Sequence, residues 1–486
     1  MGNGSSGDSS ETREKGDEMC VGYSLVSAKE LQEKVLNFAE SYFLCDAHHD
    51  RESFYSLTPE DLAQYPVASS GIFLNFVMDG ELDKAKAWLD RFPKDSFMYM
   101  AHYLVFPKIT WTEFISIINE CEKRNVNIPH VMLTAGRPSI LNGVNDFTRL
   151  APHLERHKEK VLRGLQVLYP SECGPFIYKL CLAEYYYQKN DLIDAEILLC
   201  QTIKEFDKNN ERRFLFVALY LQSKIMLAHG KNVDTDSYIK NIRDFVKENG
   251  RAEFFYNIDA LQVHFSLYNG NFDIINEWLK TDAPDEFADF NMLDVYRYMV
   301  KMRIYIVKKN YSAVIGLAAK LRPLLEEGYH HMDLCELALL VSMAFYKSGK
   351  KDLALDYLGR ALKVVRRRKY YRLVADEGEL MLNLLIEYVK ENGSTPFLQE
   401  LIDMTRSMAA AHPLYMKIQN KLGEQFTQME IDILKFLEHG KSKEEIAEYF
   451  FITVNTVKYH MKKIYSKLDV SSAHQAVWEA RVLGLI

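Results

Sequence analysis

Leu340-Val-Ser-Met-Ala-Phe-Tyr-Lys-Ser-Gly349-Lys-Lys-Asp-Leu-Ala354-Leu-Asp-Tyr-Leu358-Gly-Arg-Ala361-Leu362 decides the architecture. One apolar helical run ends at Gly349-Lys350, a turn signal, and a second run follows with Ala354, Leu358, Ala361 and Leu362 at helical spacing. The pattern predicts two paired helices joined by a short turn. Ser342 and Ala354 are small and lie twelve residues apart, so the two helices can approach closely.

A second unit reads Leu182-Ala183-Glu-Tyr-Tyr-Tyr-Gln-Lys-Asn190-Asp-Leu-Ile-Asp-Ala195, with Ala183 and Ala195 in the same two places. Turn signals stand at Asn190-Asp191, Gly230-Lys231, Gly270-Asn271, Asn310-Tyr311, Gly349-Lys350 and Glu391-Asn392-Gly393. Successive signals are about 40 residues apart, the spacing of helical-pair solenoids. The units resemble the tetratricopeptide pattern at a period longer than its usual length of about 34. The predicted fold class is all-α: a tetratricopeptide-like helical-repeat solenoid followed by a small four-helix domain.

The remaining chain divides around this array. Residues 1–21, poor in apolar side chains, are expected to be a disordered tail. Residues 22–150 form an N-terminal helical region, with a hairpin expected around Asp79-Gly80. A loop or junction is expected at 126–150, where Pro129, Gly136, Pro138, Gly143 and Asn145 cluster. The solenoid takes 151–405. Pro413 and Gly423 mark a partly helical linker at 406–424, and the last module takes 425–486.

Bulk properties narrow the function. The chain has 486 residues, too many for one hydrophobic core, and 48% of them are hydrophobic. No apolar run approaches membrane-spanning length, and no secretory pattern opens the chain. Seven widely spaced cysteines without a C-x-x-C suit reduced thiols and a cytoplasmic location. The net charge of −7 means that any affinity for nucleic acid must come from a local basic surface.

That surface is in the last module. Thr427 with Glu430 and Ser442 with Glu445 are capping boxes opening its first two helices, and Gly440 ends the first. Thr453 is an N-cap for a third helix reaching about Leu468, and Ser472 with Gln475 is a capping box for a fourth. On the third helix Val457, Met461, Ile464 and Leu468 share one face and are expected to be buried. The other faces carry Asn455, Thr456, Lys458, Tyr459, Lys462, Lys463, Ser466 and Lys467, and no acidic residue occurs from 454 to 468. Lysines near phosphates supply affinity by releasing counterions. Thr453, Asn455 and the first-turn amides suit phosphates, and Lys458, Tyr459 and Lys462 suit base edges in a major groove. A single basic run is usually only a solvated face. The capped four-helix context makes a DNA-reading helix the stronger interpretation.

Phe426-Thr-x-x-Glu430, Ser442-x-Glu-Glu445-Ile446-Ala447, Ile452-Thr453-x-x-Thr456-Val457-Lys458-x-His460 and Ile464-x-x-Lys467-Leu468-x-Val470 resemble the LuxR-type helix-turn-helix over the whole module. Met429, Lys443, Asp469 and Ala473 depart from its commonest residues. The resemblance implies double-stranded DNA as partner, Lys458, Tyr459 and Lys462 as base-facing residues, and dimerisation through the last helix, at Ser472, Ala476, Val477, Ala480 and Leu483. Upstream, Arg137-Pro-Ser-x-x-x-Gly143-x-x-Asp146-Phe147 and Tyr371-Arg-x-x-Ala375-Asp-Glu-Gly378-Glu are similar to the helical-repeat part of MalT-like LuxR regulators. That likeness implies a solenoid that binds an inducer. The family's nucleotidase has no counterpart among these residues: Gly440-Lys441-Ser442 has Lys435 where a phosphate loop needs its first glycine.

Other chemistry is weak. Neither His48-His49-Asp50-x-Glu52 nor His330-His331 with Asp333 reads as a metal site, and Tyr185-Tyr186-Tyr187 reads as packing. Arg366-Arg367-Arg368-Lys369 reads as a solvated helix end. No catalytic group, metal or cofactor is expected. The leading expectation is a one-component sensor-regulator that binds DNA as a homodimer, with an unknown small-molecule, peptide or protein effector and RNA polymerase as a candidate partner. The alternative is a repeat-protein adaptor whose helix-turn-helix is vestigial or binds protein. A helical-repeat hydrolase with an appended DNA module has no residue in its favour.

Overall fold

The computed structural model describes residues 66–94, 109–124, 137–143, 145–168, 173–209, 211–231, 253–417, 426–468 and 470–482, with scattered residues elsewhere. The expected tail, the His48-His49 segment and Leu483 lie outside the described residues.

Among the described residues the chain is helical. In order the helices are α1 (Pro66–Met78), α2 (Leu82–Leu89), α3 (Trp111–Arg124), α4 (Ala151–Arg156), α5 (Lys158–Leu168), α6 (Gly174–Gln188) and α7 (Leu192–Lys208). Next come α8 (Arg212–Ala228), α9 (Glu253–Asn269), α10 (Phe272–Thr281), α11 (Asp294–Val307), α12 (Tyr311–Glu327), α13 (His331–Lys347) and α14 (Lys351–Arg368). The last are α15 (Tyr371–Ala375), α16 (Gly378–Asn392), α17 (Pro396–Ala411), α18 (Gln428–Glu438), α19 (Lys443–Tyr449), α20 (Val454–Leu468) and α21 (Ala473–Val482).

The same turn recurs along the array. Asn190, Gly230, Gly270, Lys309 and Gly349 all have positive φ, between 59° and 78°. The next residue's amide then returns to a carbonyl of the helix just ended, as Asp191 to Tyr186 and Lys350 to Phe345, each at 2.9 Å. This 6→1 bond satisfies an end carbonyl and reverses the chain. At the fourth turn the left-handed residue is Lys309, and Asn310 caps α12 by accepting from the Ala313 amide.

Burial separates the two helices of a pair. On α13 consecutive residues from Leu339 to Phe345 are all buried. On α14 burial is restricted to Ala354, Leu355, Leu358, Ala361, Leu362 and Val365, one stripe at helical spacing. The first helix of the pair is therefore enclosed on all sides, and the second covers it. Ala183, Ala195, Ser342 and Ala354 are all fully buried at the crossings.

The Asp79-Gly80 hairpin of α1 and α2 forms, and it joins the array through the Met292 amide, which donates to the Met78 carbonyl at 2.7 Å. Of the expected linker at 406–424, residues 418–424 lie outside the described residues, and the rest packs on the array. Helix α17 runs to Ala411 with Thr405 and Met408 buried. His412 Nε2 lies 2.7 Å from the Leu227 carbonyl, and Tyr415 stacks on Tyr268. Residues up to 417 thus belong to the repeat array. Two separate apolar clusters result, one from Ile72 to Tyr415 and one from Phe426 to Ala480.

Candidate nucleic-acid interface

The last module is built around its caps. Thr427 Oγ1 accepts from the Glu430 amide while Glu430 accepts from the Thr427 amide, and Ser442 and Glu445 repeat the exchange. The fourth helix differs from expectation. Ser472 Oγ accepts from the Gln475 amide, but Gln475 Oε1 bonds to Ser471, so the box is not reciprocal. Thr453 Oγ1 accepts from the Thr456 amide at 3.2 Å and opens α20.

Helix α20 buries Val457, Met461, Ile464 and Leu468, with Ile433, Leu434, Ile446, Ala476 and Ala480 around them. That stripe fixes the rotation of the helix. Thr453, Asn455, Lys458, Tyr459, Lys462 and Lys463 are exposed as a consequence, and Thr456 is half-buried. Lys463 lies over the Tyr459 ring at 4.7 Å, which holds the ring beside the lysine ammonium. The amides of Val454 and Asn455 precede the first intrahelical acceptors, which makes this end of the helix suited to an anion.

Three of the expected site residues have partners inside the module itself. Lys467 is ion-paired with Glu430, a carboxylate 1% exposed, and sits over the Phe426 ring. Burial pushes the Glu430 carboxyl up, but the Lys467 ammonium and the Thr427 amide outweigh burial and hold it below its ordinary value. The Lys467–Glu430 pair thus ties α20 to α18. Ala476 and Ala480 are fully buried in the module's own core. Val477 and Ser472 are half-buried, and the exposed face of α21 carries His474, Gln475, Trp478 and Arg481.

The turn between α19 and α20 holds a residue missed in the sequence. Phe451 has φ +56° and is 95% exposed.

The solenoid interior carries a polar network that periodicity did not reveal. Asp376 pairs with Lys224 at 2.8 Å and with Arg372, and accepts from the Tyr187 hydroxyl. Arg303 bridges Glu377 and Glu336. Residues 137–143 and 145–148 pack against the same region. Arg137 gives both Nη atoms to Asp333, and Glu184 accepts from the Ile140 and Leu141 amides at 2.9 Å each. His330 and Asp333, weighed above as metal ligands, form a buried pair within this network. Among the described residues no group of three His, Cys, Asp or Glu could hold a metal ion, and no helix is long and apolar enough to cross a membrane.

Residues 164–391 match the family described as MalT-like TPR region, and residues 424–480 match bacterial regulatory proteins, luxR family. The chain is 23% identical over 312 residues to the HTH-type transcriptional regulator AlkS of Pseudomonas putida, covering 55% of this chain and 35% of that protein. The HTH-type transcriptional regulator MalT of Klebsiella pneumoniae is 23% identical over 285 residues, covering 54% of this chain and 31% of MalT. The transcriptional regulatory protein LiaR of Bacillus subtilis is 49% identical over 53 residues, covering 11% of this chain and 25% of LiaR. The chain thus spans about a third or less of the length of these relatives.

Proposed function

We propose, on the premise that this chain joins a MalT-like TPR region to a C-terminal module of the luxR family of bacterial regulatory proteins, that it is a DNA-binding transcription regulator. One observation carries the reading. Helix α20 has no acidic residue and is locked by its apolar stripe so that Lys458, Tyr459, Lys462 and Lys463 face outward together. Such a helix fits a major groove, with Thr453 and Asn455 at the phosphates and Lys458, Tyr459 and Lys462 at the base edges.

The repeat array is the sensor in this proposal. A small-molecule, peptide or protein signal bound there changes how the module dimerises or is presented, and it does so only through a difference in affinity between two states. A homodimer formed through the exposed face of α21 places two recognition helices on an inverted repeat. The protein acts in the cytoplasm, with RNA polymerase as a candidate partner.

Duplex binding by the full chain, measured against salt, tests the reading. Phosphate neutralisation predicts a steep negative salt slope. Lys458→Ala is expected to weaken operator binding by about 1–3 kcal/mol and to relax base preference. Unchanged affinity and preference in a gel-shift series count against Lys458 as a base-reading residue. A flat salt response favours the adaptor.

A further inference from the structure

Arginines from two distant segments of the array meet without a counter-ion. Arg149 precedes α4, and Arg367 and Arg368 stand at the end of α14. Two hydrogen bonds bring these segments and the start of α13 together. Thr148 Oγ1 bonds to the Tyr370 hydroxyl, and the Met332 amide donates to Asp146 Oδ2 at 3.0 Å. Among the described residues, none of Arg149, Arg367 and Arg368 makes an ion pair or a hydrogen bond.

The carboxylates nearby are engaged by neutral donors instead. Asp146 accepts from the Thr148 amide and hydroxyl at Oδ1 and from Met332 at Oδ2. Glu113 accepts from the Thr110 amide and hydroxyl at Oε2 and from the Tyr103 hydroxyl at Oε1. The field at a helix C-terminus accounts for the basic run ending α14. It does not account for Arg149, which comes from another segment. Burial pushes the Arg149 guanidinium down in pKa, Asp146 and Glu113 oppose that, and Arg368 adds to it. Burial also lowers the His331 imidazole, with Asp146 opposing and Arg368, Arg149 and Arg367 adding to the fall. Around His331, three guanidiniums thus face one carboxylate.

Arg149 and Arg368 are half-buried, so water compensates their charge only in part. A cationic guest would add to the repulsion, and a neutral one would leave it. One guanidinium fork satisfies a carboxylate, whereas a phosphate has oxygens enough for several. A duplex backbone meets exposed side chains, and two of these three arginines are not exposed. We propose that Arg149, Arg367 and Arg368 form a binding site for the phosphate group of a small ligand. The proposal deepens the sensor reading above and rests on it, naming the chemical class of a signal.

Equilibrium dialysis of the full chain tests it, with radiolabelled inorganic phosphate and glycerol 3-phosphate as probes and chloride holding the ionic strength constant. Saturable binding is expected, and the tighter probe tells free phosphate from a phosphomonoester. Arg149→Met and Arg368→Met keep the aliphatic packing. Each is expected to weaken binding by about tenfold or more, through loss of a charge-assisted hydrogen bond. Both should melt close to the parent in phosphate-free buffer, since neither breaks an ion pair. If either fails to fold, Arg367→Ala, at an exposed position, carries the same test. The proposal is overturned if neither probe saturates, or if the variants bind as the parent does. It is also overturned if a short duplex displaces the phosphate, which would make the cluster a backbone contact. Absence of phosphate binding leaves the reading of the C-terminal module standing. Phosphate binding that leaves duplex affinity unchanged keeps the site and counts against the sensor role.

Discussion

Ser342 Oγ donates a 2.8 Å hydrogen bond to the carbonyl of Ala354, across the crossing of α13 and α14, with both residues fully buried. No space remains there for a longer side chain. Ser342→Leu is expected to destabilise the array by about 1–3 kcal/mol through overpacking. Ser342→Ala loses only the hydrogen bond, about 0.5–1.5 kcal/mol. Urea unfolding followed by helical circular dichroism separates the two, and equal losses would show that the crossing tolerates bulk.

That crossing was legible in the sequence because small residues twelve positions apart around a turn let two helices touch. So was α20, whose apolar stripe at 457, 461, 464 and 468 is the buried set. The interior network was not. Arg372, Asp376, Glu377 and Arg137 were noticed only as parts of family-like motifs, because most of their partners are distant in the chain: Glu377 meets Arg303 at 74 positions and Arg137 meets Asp333 at 196. Periodicity reports which face is buried. It does not report which buried charges meet. The partner of Lys467 was hidden for the same reason: Glu430 also caps α18, and the sequence displays only the cap.

Lys467 and Lys462 are both lysines of α20, yet their losses should differ in kind. Lys467→Ala leaves the 1% exposed Glu430 carboxylate without its cation, so the module is expected to lose stability by about 3–5 kcal/mol. Lys462 is exposed, and Lys462→Ala should leave stability within about 0.5 kcal/mol while reducing the salt slope of duplex binding by about 1. The melting temperature of the module and a salt titration check both. A Lys467→Ala module as stable as the parent would return that residue to the phosphate-contact group.

Arg137 holds Asp333 through two parallel bonds of 3.0 and 2.7 Å, with both side chains buried. Arg137→Ala is expected to cost about 3–5 kcal/mol, and Arg137→Lys should not restore the fork geometry. Burial pushes the Asp333 carboxyl up, but the Arg137 guanidinium and His330 outweigh burial and hold it well below the ordinary carboxylate range. The folded value is depressed, so the pair's contribution is present above about pH 4 and fades as pH falls through the folded value. In the variant the buried carboxyl keeps Asn142 and His330 but has lost the guanidinium, so its neutral form is less disfavoured. The stability gap between parent and variant should therefore be widest near neutrality and narrow on acidification. Unfolding curves at several pH values with a constant gap would exclude Asp333 ionisation as its source.

Phe451 occupies a left-handed turn position with its ring 95% exposed, so its burial offers little to offset the strain. The turn itself is required, since the Ile452 amide must reach the Ala447 carbonyl at 3.0 Å to bring α20 into position. A left-handed backbone costs an ordinary residue about 1–2 kcal/mol, whereas asparagine tolerates it. Phe451→Asn is expected to stabilise the module by about 1 kcal/mol. Phe451→Ala keeps the Cβ that causes the clash and should gain nothing. Thermal melts of the three proteins decide the cause. A gain with alanine equal to that with asparagine would trace the instability to the exposed ring and acquit the backbone.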